Sequence, residues 1–356
     1  MVEQNPDEHK RRPRYRGTHP RRFEERYKER DPEAHPELQE RLHARGRTPA
    51  GTHVPVLPAE VMAALDPKPG ETVADCTLGY GGHAAELLRR IALGGRLVGF
   101  DVDAASLERT RARLEPLAAQ AGARLHIYRS NFAGIARPMR ELGIEGYDAI
   151  LADLGVSSMQ IDDPARGFSY RQDGPLDMRM DDRIGQTAAD LLRTLPQEEL
   201  CAALRDLGEE PDAEAIAQRI VAERAIHQIA RTLELAELVL AVKGISRPEW
   251  RKRAKHGETH PAALTFQALR MLVNDELGAL NQFLRALPYC LRPGGRVAII
   301  SFHNGEDRLV KGNFRDALRA GLFSEASDAP IRPGSNELNS NPRAASAKLR
   351  WARRTA

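Results

Sequence analysis

The chain is 356 residues long, with 41% hydrophobic and 29% charged residues, 53 Lys and Arg against 50 Asp and Glu, and a formal net charge of +3. That length holds about two domains with ample core for an α/β sheet, and no apolar run approaches the ~18 residues of a bilayer span. A charged N-terminus without an apolar signal core, and three cysteines (Cys76, Cys201, Cys290) with no C-x-x-C pair, argue against export, a disulfide framework and a structural metal, so a cytoplasmic, metal-free protein is expected.

Residues 1–51 are rich in Arg, Glu, Pro and His and poor in aliphatics, which predicts a disordered, mildly basic arm; order is expected from His53-Val54-Pro55-Val56-Leu57. Strand patterns at Thr72 to Thr77, Arg96 to Asp101, Arg124 to Arg129, Tyr147 to Leu154 and Arg296 to Phe302 alternate with helical ones at Ala84 to Ala92, Ala104 to Ala118 and Ile135 to Leu142. Such alternation predicts a parallel sheet covered on both faces. From Val156 to Pro293 the rhythm breaks. Helical spacing marks Thr187 to Leu192, Gln197 to Leu207, Asp212 to Arg224 and Thr232 to Val242; a polar, basic loop is predicted over Arg247 to Glu258, then one long helix from Ala262 to Leu287. A helix from Glu306 to Leu318 and a strand from Ala347 to Trp351 complete the sheet. The predicted division is an arm at 1–51, a core in two parts at 52–160 and 261–356, and an inserted helical substrate-recognition domain at 161–260.

The first strand ends in Ala74-Asp75-Cys76-Thr77 and runs into Leu78-Gly79-Tyr80-Gly81-Gly82-His83; the second ends in Asp101. Glycines let backbone approach a ligand, and an acid at the end of the second strand can accept both hydroxyl protons of a ribose. The third glycine of the dinucleotide fingerprint is missing. A cofactor with a ribose and no phosphate fits better, and S-adenosylmethionine is the common one. Asn131-Phe132 follows the third strand, where the ring could stack on a purine or fill the core.

The fourth strand ends in Asp153-Leu154-Gly155. An acid leaving a buried apolar strand is expensive unless it acts at the mouth of the sheet, although a turn acid also fits. The Asp153 carboxylate and the Leu154 carbonyl are candidate acceptors for the hydrogens of an amine being methylated, help felt mostly in the transition state. The stretch from Arg166 to Asp181 reads as a structured loop over the cleft, and Ser301-Phe302-His303 brings an aromatic and a histidine to the same end of the sheet, the histidine open to a purely structural reading. Basic clusters at Lys10 to Arg16, Arg21-Arg22, Lys252-Arg253, Lys255, Arg350, Arg353 and Arg354 suit a phosphate-binding surface or plain solvated charge.

With these residues in hand the chain closely resembles the RsmH (MraW) family of bacterial small-subunit ribosomal RNA methyltransferases, which form N4-methylcytidine from S-adenosylmethionine. The resemblance runs from about His53 to Arg353 and rests on Thr77 to His83, Asp153 to Ser158, Arg166 to Ser169, Asp173 to Asp181, His260 to Ala262, Phe266 to Arg270, Ser301 to His303 and Asn341 to Arg343. It implies an α/β fold of the class I (Rossmann-like) S-adenosylmethionine-dependent type with an inserted helical domain. Cofactor contacts are implied at Gly81, Gly82, His83, Asp101, Phe132, Asp153 and Gln160, with Ser157, Phe168, Arg179, Ser301 and His303 as candidate substrate contacts. The implied partner is small-subunit RNA, at a decoding-centre cytidine whose base must leave its stack; a homodimer stays open, and no membrane is implied. Pro211, Leu264 and Ala345 depart from the family pattern and remove positive charge near implied RNA contacts. A different acceptor, or a noncatalytic RNA-binding assembly factor, remain the competing readings.

Overall fold

A computed structural model describes residues 55–356, so the expectations for the arm and for the first residues of the His53 string lie outside the described residues. After helix α1 (Pro58–Leu65), β1 (Thr72–Asp75), α2 (Gly82–Arg90), β2 (Arg96–Asp101), α3 (Ala104–Ala121), β3 (Arg124–Arg129), α4 (Ala136–Leu142) and β4 (Tyr147–Asp153) alternate as the periodicity predicts. A helical segment follows: α5 (Ser158–Asp162), α6 (Ala188–Thr194), α7 (Gln197–Gly208), α8 (Ala213–Arg224), α9 (Thr232–Val242), α10 (Arg247–Ala254), α11 (Ala263–Val273) and α12 (Glu276–Cys290). The chain then re-enters the sheet with β5 (Leu291–Ser301), α13 (Asn304–Arg319), β6 (Phe323–Ala326), α14 (Ser335–Ser340) and β7 (Lys348–Arg354).

The seven strands lie in the order β3-β2-β1-β4-β5-β7-β6. The first five are parallel, and β7 runs antiparallel between β5 and β6. The order reverses between β1, whose other neighbour is β2, and β4. Such a switch point opens a crevice beyond the strands' carboxyl ends. Two apolar layers cover the sheet: one includes Val73, Leu87, Leu97, Leu114 and Ile300, the other Val98, Phe100, Ile150, Phe283 and Leu287. Each fully buried aliphatic or aromatic side chain contributes about 1.5 to 3 kcal/mol. A third apolar cluster, including Phe168, Met178, Leu204, Ile216, Leu235 and Phe266, belongs to the helical segment.

Three local expectations are corrected. Arg247 to Glu258 is not all loop, because Ser246 caps α10 by accepting from the Glu249 amide and Pro248 sits in its first turn. No α10 side chain is fully buried, so no apolar periodicity announced it. The predicted helix from Ala262 to Leu287 is two helices. Asn274 spends its side chain on the Met178 carbonyl and the Met180 amide, and Asp275 turns to φ 45°, ending α11. Edge strand β6 was not foreseen. It is four residues long and only Phe323 is buried.

Candidate active site

The glycine loop is built from α3 as much as from β1. Thr110 Oγ1 donates to the Gly79 carbonyl at 2.6 Å and Arg113 to the Tyr80 carbonyl at 2.6 Å. Gly79 and Gly81 have φ of 48° and 73°, backbone that favours glycine. A Cβ at Gly81 would stand 3.1 Å from both Thr110 and Leu114, so the loop lies tightly on α3. Helix α2 begins at Gly82 and buries His83.

Asp101 ends β2 with both carboxylate oxygens engaged by backbone: Oδ2 accepts from Gly79 at 2.7 Å and Oδ1 from Asp103 at 2.9 Å. Burial pushes its carboxyl up to about 6 against the lowering effect of those amides. Asp103 is a hub. It caps α3 through the Ala105 amide, and its Oδ2 accepts from Gln160 Nε2 at 2.9 Å and Arg166 Nη1 at 2.8 Å. Arg166 in turn donates to the Arg179 and Met180 carbonyls, so one guanidinium joins the β2 loop to the Arg166 to Asp181 loop.

Asp153 stands at the end of β4, its amide donating to Thr77 Oγ1 at 2.6 Å across the switch point. Its Oδ2 is 3.8 Å from His83 Nε2, while Oδ1 is buried without a hydrogen-bond partner among the described residues. Burial, then the charges of Asp75, Glu306 and Glu337, pushes the Asp153 carboxyl up to about 8. Asp75, at the end of β1, is pushed to about 7 by burial, with the Thr77 amide opposing. Gly155 follows at φ 94°, beside Phe302.

The remaining sequence candidates divide by what holds them. Phe132 packs edge-on against Phe283, ring centroids 5.3 Å apart, at the margin of the sheet core. Ser157 is the N-cap of α5, in a reciprocal capping box with Gln160. His303 likewise caps α13 with Glu306, whose Oε2 also accepts from the Phe302 amide. Phe168 lies in the helical segment's core; Arg179 is held by both oxygens of Asp177 and by the Ile184 carbonyl; Ser301 is buried on β5 with its hydroxyl facing the Lys348 carbonyl. Gly81, Gly82, His83, Asp101, Asp153 and Leu154 thus gather at one end of the sheet, with Gln160 tied to them through Asp103. Arg166 links Phe168 and Arg179 to that group, its guanidinium lying 5.8 Å from the Phe168 ring centroid and bonding the Arg179 carbonyl and Asp103. Thr77, Thr110 and Arg113 were not among the sequence candidates; only Thr77, the first residue of the Thr77 to His83 string, carried a signal.

An acid at the end of β2, a glycine turn after β1 and a sheet with antiparallel β7 define a class I methyltransferase that uses S-adenosylmethionine. The buried, unpartnered Oδ1 of Asp153 fits that group, which brings a cationic sulfonium and an amine to satisfy such an oxygen. Gly81, Gly82, His83, Asp101, Phe132, Asp153 and Gln160 are the residues that would hold it.

A model described as the MraW methylase family matches residues 50–355, and the chain belongs to that family. It is similar to ribosomal RNA small subunit methyltransferase H 1 of Lachnoclostridium phytofermentans, 45% identical over 345 residues that cover 97% of this chain and 93% of that protein. It is also similar to ribosomal RNA small subunit methyltransferase H of Geobacter sp. strain M21, 44% identical over 313 residues covering 84% and 97%. Among the described residues no helix is long and apolar enough to cross a membrane, and no cluster of side chains could hold a metal.

Proposed function

We propose that this methyltransferase acts on the exocyclic N4 amine of a cytidine in small-subunit ribosomal RNA, at the decoding centre, by direct transfer. The observation that carries the reading is Asp153: a part-buried carboxyl at the switch point, pushed to about 8, whose Oδ1 is buried and unpartnered among the described residues. When bound, S-adenosylmethionine supplies an electrophilic methyl group. The N4 lone pair is delocalised into the ring, so the Asp153 carboxylate and the Leu154 carbonyl act by holding the two amine hydrogens and localising that pair; one proton passes to Asp153 as the N–C bond forms and the S–C bond breaks. His83, 3.8 Å from Asp153, keeps a polar partner beside the carboxylate. Thr77 sets where β4 ends. No cysteine is needed: Cys76 and Cys290 are buried with thiols raised by burial.

Residues 161–260 serve in this reading as the inserted substrate-recognition domain between the two core parts, and Ser157, Phe168, Arg179, Ser301 and His303 as substrate contacts, direct or through the loops they hold. The relatives' names, which specify small-subunit ribosomal RNA, support the acceptor class. The test is methyl transfer from labelled S-adenosylmethionine to isolated small subunits, with nucleoside analysis of the product. Label in N4-methylcytidine is expected. Label in another nucleoside, or in none with a folded, donor-binding protein, overturns the assignment.

A further inference from the structure

Helix α10 contributes almost nothing to the core, since none of its side chains is buried. A helix of eight residues is also too short to persist alone in water. It is held by an aromatic ladder rising from the helical segment's core. Phe266 meets Tyr170 edge-on at 5.6 Å, Tyr170 stacks on His260 at 4.4 Å, and His260 meets Trp250 of α10 at 4.6 Å. Burial, reinforced by Arg171, pushes His260 down to about 4, so the ring in the ladder is neutral at physiological pH.

What this scaffold presents is charge. Between Arg247 and His256 there are five cations and one carboxylate. Arg247 pairs with Glu237 and Arg253 with Glu249, whereas Arg251, Lys252 and Lys255 have no ion pair among the described residues. Elsewhere most surface arginines are neutralised: Arg183 by Asp181, Arg231 by Asp173, Arg308 by Glu209 and Arg343 by Asp162. Arg251 and Lys255, the C-cap of α10 with helical backbone, are four apart and so on one side, with Lys252 beside them. Exposed Arg171, likewise without an ion pair, follows Tyr170 of the ladder. Tyr170 and Arg171 lie within the Arg166 to Asp181 loop that Arg166 ties to Asp103. A platform of cations without ion pairs, joined by the aromatic ladder to the loop beside the site, matches a chain of phosphates.

We propose that α10, with Arg251, Lys252 and Lys255 and the neighbouring Arg171, is a phosphate-gripping surface that holds the RNA backbone away from the target base. This rests on the RNA reading above. The surface carries no base-reading geometry, so it supplies affinity and positioning and leaves the choice of nucleotide to the site.

The test uses the full chain and purified small-subunit ribosomal RNA as the probe. Arg251, Lys252 and Lys255 are replaced together by Gln, which keeps helix propensity. A control replaces exposed Arg109, Arg124 and Arg140 by Gln and changes net charge equally. In the α10 variant, RNA affinity should fall at least about tenfold and the slope of log affinity against log salt should shrink by about three, one per lost phosphate contact. Melting temperature, donor affinity and the single-turnover rate at saturating RNA should stay as in the wild type. An unchanged slope, or an equal loss in the control, overturns the proposal while leaving the RNA reading intact. Lost binding to phosphatidylglycerol vesicles with RNA binding untouched also overturns it, in favour of a membrane surface. Absence of RNA binding by the wild-type protein instead overturns the RNA reading, and α10 with it.

Discussion

At the residue scale the site is a set of carboxyls raised by burial, which ties its chemistry to pH. Asp153 and Asp75 are pushed to about 8 and about 7, above the ordinary carboxyl range. At these two positions the folded chain therefore binds more protons than the unfolded chain across that window, so their contribution to stability is full below about pH 4 and is lost as pH rises toward 8. Asp153→Asn removes the Asp153 share. Without ligand it should be more stable than the wild type near pH 8, with the advantage gone near pH 4, read from denaturant midpoints; a pH-independent difference would contradict the raised pKa. The catalytic consequence has the opposite sign, because the carboxylate is the active form. The single-turnover rate should climb with pH toward a plateau above about 8, and Asp153→Asn should lower it by about 100-fold or more with RNA affinity nearly unchanged. Asp101→Ala removes a charge-assisted acceptor, so donor affinity should fall by about 1.5 to 3 kcal/mol by calorimetry. Unaltered donor affinity in that folded variant would take Asp101 out of the cofactor site.

At the element scale, function depends on how loops are tied to helix ends. Asn274 closes α11 and clamps the Met178 to Met180 turn with two hydrogen bonds, and Met178 is held buried at φ 65°, an uncommon backbone for a side chain of its size. Asn274→Ala leaves a carbonyl and an amide without those partners and should lower stability by about 1 to 3 kcal/mol. RNA affinity should weaken while donor affinity holds, since Arg166 is what ties the clamped turn to Asp103 among the described residues. Equal losses in both affinities would show that the turn supports the cofactor loop directly. These ties explain what the sequence made readable. Strands β2 and β3 and helix α9 have the bounds their patterns predict, because the two strands lie between the two apolar layers of the sheet and α9 lays its apolar stripe on the core of the helical segment. The break at Asn274 and Asp275 was not readable, because the apolar pattern continues through it and only the distant Met178 turn gives Asn274 a reason to leave the helix.

At the scale of the whole molecule, the described residues, 55–356, form one compact unit with its own core. Deleting residues 1–51 should thus leave the melting temperature and donor affinity nearly unchanged, and a flatter salt dependence of RNA binding would assign the removed cations to the RNA. Unfolding of the truncated chain would move the core boundary into the arm. The residues between His53 and Ala356 determined a good deal unaided: strand and helix alternation for the sheet, a long helical excursion after β4, and the acids and glycines at strand ends, all local because burial on a sheet or helix face repeats every two or about four residues. Tertiary structure alone decided which ends meet. Thr77 and Asp153 share a hydrogen bond, His83 stands beside Asp153, and Asp103 gathers Gln160 and Arg166, because the strand order places β1 against β4 and β2. Carboxyl pKa values and unpaired cations belong to the same class: each depends on burial and on which opposite charge lies within a few ångströms, and nothing along a chain records that distance.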